Sequence, residues 1–282
     1  MTQLRSVLQM PITIQSDASL YHAISRLLQG DISRLIVTGG PDVQIVTEKD
    51  IGMFLLTDES GKALEDIPVS QIARRFVSVH ENMTVQGAAE IMVDRDIGSV
   101  GVYCNDEGLI GIVTKTDLTK YYFENFVGHN RIGDLMTITY TSMDSEDSLN
   151  KVITKMIDER ISRIFLKNQN NEPEGILTFR DLFQIALTEG RSDMVIDNSD
   201  PAISVVFPRR GFLSESGFGE TTLAKDAMSK KIVSVDYNDD LIIACSTMIE
   251  NKINGVGVTI NDKISGVISK SDIIKAMTQI KE

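Results

Sequence analysis

One apolar stripe recurs four times along the chain, as Leu20-Ala23-Ile24-Leu27-Leu28, Val85-Ala88-Ala89-Met92-Val93, Leu149-Val152-Ile153-Met156-Ile157 and Leu241-Ala244-Cys245-Met248-Ile249. A spacing of i, i+3, i+4, i+7, i+8 puts such residues on one face of a helix. After each stripe comes a short run rich in β-branched residues or glycine: ISRLIV, IGSVGVY, ISRIFL or INGVGV. Those runs read as strands. Turn segments follow (GGPD, NDEG, NQNNEPEG and NDK), then a second apolar run and a closing helical one. The repeat is about 60 residues long. A unit of that size buries too little apolar surface to stand reliably alone, so copies must pair. The expected fold class is α/β.

The second strand of each copy ends on a hydroxyl, at Thr47, Thr114, Thr178 or Ser269, and three residues later stands Asp50, Asp117, Asp181 or Asp272. From stripe start to hydroxyl the spacing is 27, 29, 29 and 28 residues, so the copies are in register within variable turns. The simplest reading of any one pair is a helix start. A Ser or Thr at the N-cap accepts a first-turn N–H, and an acidic residue at N3 bonds back to the cap. Every copy also carries a base beside the pair: Lys49, Lys115, Arg180 and Lys270. A cation in a helix's first turn opposes the dipole by ~0.3–1 kcal/mol where exposed, and a nearby anion reverses that. Free N–H groups at helix starts hold phosphates for the same reason. The alternative for these bases is solvation on an acidic surface.

Copies one and three read Ile-Ser-Arg at the first strand (Ser33-Arg34, Ser162-Arg163), whereas copies two and four carry small residues (Gly98-Ser99, Asn254-Gly255). A duplicated pair leaves that alternation. It divides the chain into modules 1–125 (repeats about 1–60 and 67–125) and 126–282 (repeats about 131–187 and 222–282), joined near FVGHNR. The hydroxyl-to-hydroxyl intervals are 67, 64 and 91 residues. The long third interval marks a linker over 188–221.

Composition narrows the functions available. Forty acidic against 28 basic side chains give a formal charge of −12. This opposes sequence-independent nucleic-acid binding, which needs clustered Lys and Arg. The two cysteines and three histidines lack ligand spacing, so neither a disulfide framework nor a metal site is expected. No signal-peptide pattern or membrane-length apolar run occurs, and the expected location is the cytoplasm, without membrane contact. No Gly-x-Ser-x-Gly, Walker loop or Cys-x-x-Cys is present, and no catalytic function is expected.

The ordered set of helix, strand, turn and a strand ending in Gly-φ-φ-Thr/Ser-x-x-Asp (φ, apolar) resembles the cystathionine-β-synthase, or CBS, domain. It stands here as GIVTKTD, GILTFRD and GVISKSD, and Gln44 replaces the glycine in QIVTEKD. The arrangement of four is similar to the γ regulatory subunit of AMP-activated kinase and to stand-alone archaeal and bacterial CBS-repeat proteins. The resemblance implies four βαββα-type repeats in two Bateman modules, a regulatory role and an adenine nucleotide (AMP, ADP or ATP) as ligand rather than as a catalytic cofactor. Carried over residue by residue, it nominates Thr47, Asp50, Thr114, Asp117, Thr178, Asp181, Ser269 and Asp272 for the ribose and nearby phosphate. It nominates Arg34 and Arg163 for phosphates, which a planar guanidinium binds bidentately. A regulated partner protein and a homodimer follow as expectations. The other readings are S-adenosylmethionine as ligand, or a scaffold without one. The loss of glycine at Gln44 and the small residues at Ser99 and Gly255 imply fewer than four working sites.

Overall fold

A computed structural model of the protein describes residues 2–189 and 222–280. Almost all of the linker expected over 188–221 lies outside the described residues.

Copy one runs β1 (Thr13–Gln15), helix Leu20–Gln29, β2 (Arg34–Thr38), β3 (Gln44–Thr47) and closing helix Glu48–Thr57, and a two-residue strand β4 (Arg74–Arg75) follows it. Copy two repeats the order with β5 (Ser78–His80), helix Val85–Asp94, β6 (Ser99–Cys104), β7 (Gly108–Thr114) and helix Lys115–Asn125. Copy three has β8 (Ser142–Asp144), helix Leu149–Asp158, β9 (Arg163–Lys167), β10 (Pro173–Thr178) and helix Asp181–Glu189. Copy four has β11 (Ser234–Asp236), helix Leu241–Glu250, β12 (Gly255–Ile260), β13 (Lys263–Ser269) and helix Lys270–Gln279. In every copy the first strand is parallel to the second and the second antiparallel to the third. A parallel pair needs a crossover, and the striped helix supplies it.

The striped helices start where the sequence places cap residues: Ser19, Thr84, Ser148 and Asp240 each accept a first-turn N–H. The first four stripe positions are buried in all four copies, and the fifth is half-buried. Each of these helices ends with a non-glycine residue in the left-handed region, Asp31, Asp96, Arg160 or Lys252, at φ 48°, 48°, 56° and 54°. The next residue is an isoleucine whose N–H reaches back to the helix, from Ile32, Ile97, Ile161 and Ile253 to the carbonyls of Leu27, Met92, Met156 and Met248. That bond satisfies an orphan carbonyl and holds a conformation that otherwise costs a non-glycine residue about 1–2 kcal/mol.

The chain forms two compact units, and they do not follow the boundary near residue 125. One contains copies one and three (Ile12–Arg75 and Thr141–Lys231); the other contains copies two and four (residues up to Pro11, Phe76–Tyr140 and from Ile232). Each has its own apolar core, built from the stripes and closing helices of its two copies. The copies whose first strands resemble each other in sequence are therefore the ones that share a core.

Sequential neighbours are tied differently, by exchange of leading segments. The segment before copy one lies on copy two, where Val85 N–H donates to Thr2 O, and the segment before copy two lies on copy one, where Leu20 N–H donates to Ile67 O. Copies three and four exchange likewise, through Leu149 N–H to Thr222 O and Leu241 N–H to Asn130 O. Each exchanged arm ends beside the third strand of its host, one residue past the motif glycine: Gln9 with Ile112, Ser229 with Ile176, Thr137 with Val267, and in copy one Arg74 with Ile45. This explains the glycine. A Cβ at Gly266 would sit 2.4 Å from the Thr137 carbonyl oxygen, and one at Gly175 would sit 2.3 Å from Met228 Sδ and 3.0 Å from Ser229 O.

Gly266→Ala is thus expected to lower unfolding free energy by about 1–3 kcal/mol, the usual cost of overpacking against atoms that cannot move aside. Gly257→Ala, with nothing nearer than 3.6 Å, is the control. Urea unfolding of the two variants measures the difference, and equal losses would refute the close-approach account.

Candidate functional site

The strand-to-helix step has the same geometry in all four copies. The N–H of Thr47, Thr114, Thr178 or Ser269 donates to Oδ2 of the Asp three residues on, at 2.9, 2.9, 2.7 and 2.9 Å. The hydroxyl donates to the same oxygen at 2.6, 2.6, 2.7 and 2.7 Å. In copies one and two the Asp N–H returns a bond to the hydroxyl. One carboxylate oxygen therefore starts each helix, as the capping reading expects. The other oxygen differs between copies. Among the described residues nothing donates to Oδ1 of Asp117 or Asp181, and Asp272 Oδ1 has only Lys275 Nζ at 3.8 Å. Asp117 is 7% exposed. A buried carboxylate oxygen without a donor is unusual, since such groups normally find partners.

The nominated arginines are brought to these steps. Arg34 lies directly across the strand pair from Thr47, and Arg163 directly across from Thr178. Ser99 and Gly255 face Thr114 and Ser269 in the other unit. Arginine, hydroxyl and carboxylate thus share one end of the sheet in copies one and three, and the even copies have no side chain of that reach in the same place.

Three of the bases beside the motif, for which the sequence left a nearby anion and solvation as alternatives, bond to other parts of the protein. In copies two and four they clasp the two steps reciprocally. Lys115 Nζ donates to Ser271 Oγ at 2.8 Å, and Lys270 Nζ donates to Thr116 Oγ1 at 2.9 Å and to Asn254 Oδ1 at 3.2 Å. In copies one and three the same pair of positions holds Glu48 and Arg180. Arg180 Nε donates to Glu48 Oε1 at 2.7 Å, Nη1 to Asp31 Oδ1 at 2.6 Å and Nη2 to the Ile32 carbonyl at 2.8 Å. At three of the four helix starts the first N–H is engaged as well. The first-turn N–H groups of Glu48, Lys115 and Lys270 donate to the carbonyls of Ser33, Gly98 and Asn254.

Burial pushes the Glu48 carboxyl above its ordinary range, although Arg180 and Arg34 pull it back. Burial likewise raises Asp181, against the two Thr178 donors. Sequence reasoning overlooked Glu48, Asp31 and Arg74 because each acts on a residue far away in the chain. Arg74 Nε lies 3.1 and 3.2 Å from the two oxygens of Asp50. Among the described residues no group of three or more His, Cys, Asp and Glu could hold a metal ion, and no helix is long and apolar enough to cross a membrane.

Four copies of a parallel-antiparallel three-stranded sheet with a capped Thr/Ser-x-x-Asp step define a protein built of CBS repeats. The chain belongs to the CBS domain family, whose model matches residues 65–124, 132–187 and 224–279, more than half of its length. The fold is shared over 98% of this chain and 99% of the other with protein MJ1225 from Methanocaldococcus jannaschii, described as a proposed archaeal homologue of g-AMPK, at a TM-score of 0.78 and 17% identity. It is also shared with an uncharacterised conserved protein from Pyrococcus horikoshii, at a TM-score of 0.61 and 15% identity over 98% and 100% of the two chains. In sequence, the chain is 24% identical over 78% of its length to an uncharacterised 33.4 kDa protein in a ribosomal RNA operon of Thermofilum pendens, of which it covers 67%. It is 26% identical over 51% of its length to a homoserine O-acetyltransferase of Methanococcus vannielii, of which it covers 28%. It thus spans under a third of that enzyme.

Two expectations follow from the clasp. Arg180→Met removes three bonds at a site a third exposed, and a loss of about 2 kcal/mol is expected by urea unfolding. A stability unchanged within a few tenths would contradict the clasp. The raised carboxyls set a pH dependence whose sign is fixed. The folded chain binds protons at Glu48 and Asp181 before the unfolded chain does. Their stabilisation is complete below the ordinary carboxylate values, near ~4, and is lost as pH rises through the raised ones. Glu48→Gln with Asp181→Asn should flatten the fall in stability as pH rises above the ordinary carboxylate range. An unaltered slope would refute the assignment.

Proposed function

We propose that this chain is a non-catalytic regulatory protein that takes an adenine nucleotide, AMP, ADP or ATP, at the strand-to-helix steps of its repeats and signals occupancy to a partner protein. The observation that carries the reading is the divided carboxylate: one oxygen of Asp117, Asp181 and Asp272 starts a helix and the other is an acceptor without a hydrogen-bond donor among the described residues. A vicinal diol supplies donors for such an oxygen, and a cap alone leaves it unused. The resemblance to CBS domains points to the ribose of an adenosyl ligand as that diol, and the phosphate-directed arginines favour a nucleotide among such ligands. Thr114, Thr178 and Ser269 hold the carboxylate in place by donating to it, and their oxygens are left to accept from a ribose hydroxyl. Arg163, across from Thr178, supplies a phosphate contact in copy three; Thr47, Asp50 and Arg34 form the same arrangement in copy one, with Arg74 added.

The exchanged arms support grouping the copies as sequential pairs, 1–125 and 126–282, the unit that duplicated. The clasps of Arg180, Lys115 and Lys270 support the signalling part. They join the steps of two copies, so a ligand that binds one arrangement of the steps more tightly shifts the population toward it. The shift is limited to that difference in affinity.

The test is thermal melting with and without each nucleotide. A ligand at ~100 times its Kd should stabilise by about 2.7 kcal/mol if it binds only the folded state. Asp117→Asn and Asp181→Asn keep an acceptor for the cap but replace the second oxygen with a donor, and each should weaken affinity about tenfold or more. Normal affinity with reduced stability in both variants, or no nucleotide shift in the unaltered protein, would leave the steps as caps in a scaffold.

A further inference from the structure

The repeats permit a comparison inside one molecule. Each exchanged arm lays one residue beside the position that follows Gly111, Gly175, Gly266 or Gln44. In copies two, three and four that residue is uncharged: Gln9, Ser229 and Thr137. In copy one it is Arg74, carried on β4. Its Nε bridges Asp50, at 3.1 Å from Oδ1 and 3.2 Å from Oδ2. Oδ2 still takes the Thr47 N–H and hydroxyl. Copy one is thus the copy in which the acceptor left open at Asp117 and Asp181 is already filled, and the donor comes from the chain itself.

We propose that Arg74 closes the step of copy one to ligand and sets how many nucleotides the protein holds. This rests on the nucleotide reading of the other three steps. A diol and Arg74 both give Asp50 charge-assisted bonds, because the acceptor is ionised, but Arg74 adds the attraction of a full positive charge. The side chain of Arg74 is 46% exposed, so the pair contributes little to folding. Closure needs little, because a tethered group competes at an effective concentration in the millimolar range without leaving the site. The pairing of Gln44 with Arg75 and Ile45 with Arg74 holds the arginine there. Gln44 suits this arrangement, since the arm that needs glycine in the other copies here meets the third strand as a short β-ladder.

Equilibrium dialysis of the full chain against labelled AMP tests this. Arg74→Ser installs the side chain that copy three carries at the equivalent position. Arg74→Ser should bind one more equivalent of AMP per chain than the unaltered protein, and adding Asp50→Asn should remove that equivalent. Circular dichroism melting confirms that the variants are folded. An unchanged or lower number of equivalents in folded Arg74→Ser would overturn the closure, and so would loss of an equivalent from Asp50→Asn in the otherwise unaltered chain. AMP binding by Arg74→Ser alone, with none by the unaltered protein, would uphold closure and refute binding at the other three steps. No binding by any of these proteins would overturn both.

Discussion

Each sheet in this protein turns into its helix on a single carboxylate oxygen. Oδ2 of Asp50, Asp117, Asp181 or Asp272 accepts both the N–H and the hydroxyl of the residue three positions earlier, which ties the end of the strand to the start of the helix. The closing helix that follows supplies much of the apolar surface that fills the core, including Ile51, Leu118, Leu182 and Ile273. Its direction has to be set before that surface can meet its partner. A carboxylate has two oxygens and the cap uses one. The same residue can therefore hold the fold together and offer an acceptor, and this is why a structural and a functional reading of the motif coexist.

The position after the cap decides which copies belong together. Lys115 and Lys270 each reach the hydroxyl one residue further along the other's helix, at Ser271 and Thr116, while Arg180 reaches Glu48 by the equivalent path. Exchanging partners would set Lys115 against Lys49 or Arg180 in partly buried surroundings. Like charges in such a place are strongly unfavourable, and this repulsion selects partners as effectively as the attractions do. Copies of the same architecture are thereby kept from mixing.

Much of this was legible in the sequence because the underlying constraints are local. A stripe spaced at 3.6 residues buries the face it marks, and Leu20, Val85, Leu149 and Leu241 with their companions are buried as the spacing requires. The hydroxyl and carboxylate are three residues apart and meet within one helical turn. Arg34 and Arg163 reach Thr47 and Thr178 because a hairpin aligns the ends of its own strands. The clasps were not legible, since Lys115, Arg180 and Lys270 reach across to partners on another copy between 132 and 156 residues away, beyond any local pattern.

The chain by itself determined the four repeats, their internal order, the buried faces and the chemistry placed at each strand end, all of which depend on contacts a few residues to a hairpin apart. Only the tertiary structure decided that odd copies share one core and even copies another, that leading segments are exchanged between neighbours, and that Arg74 lands on Asp50. Those outcomes depend on shape and charge complementarity between surfaces that exist only after each copy has folded, and four similar copies offer several pairings that local sequence cannot rank.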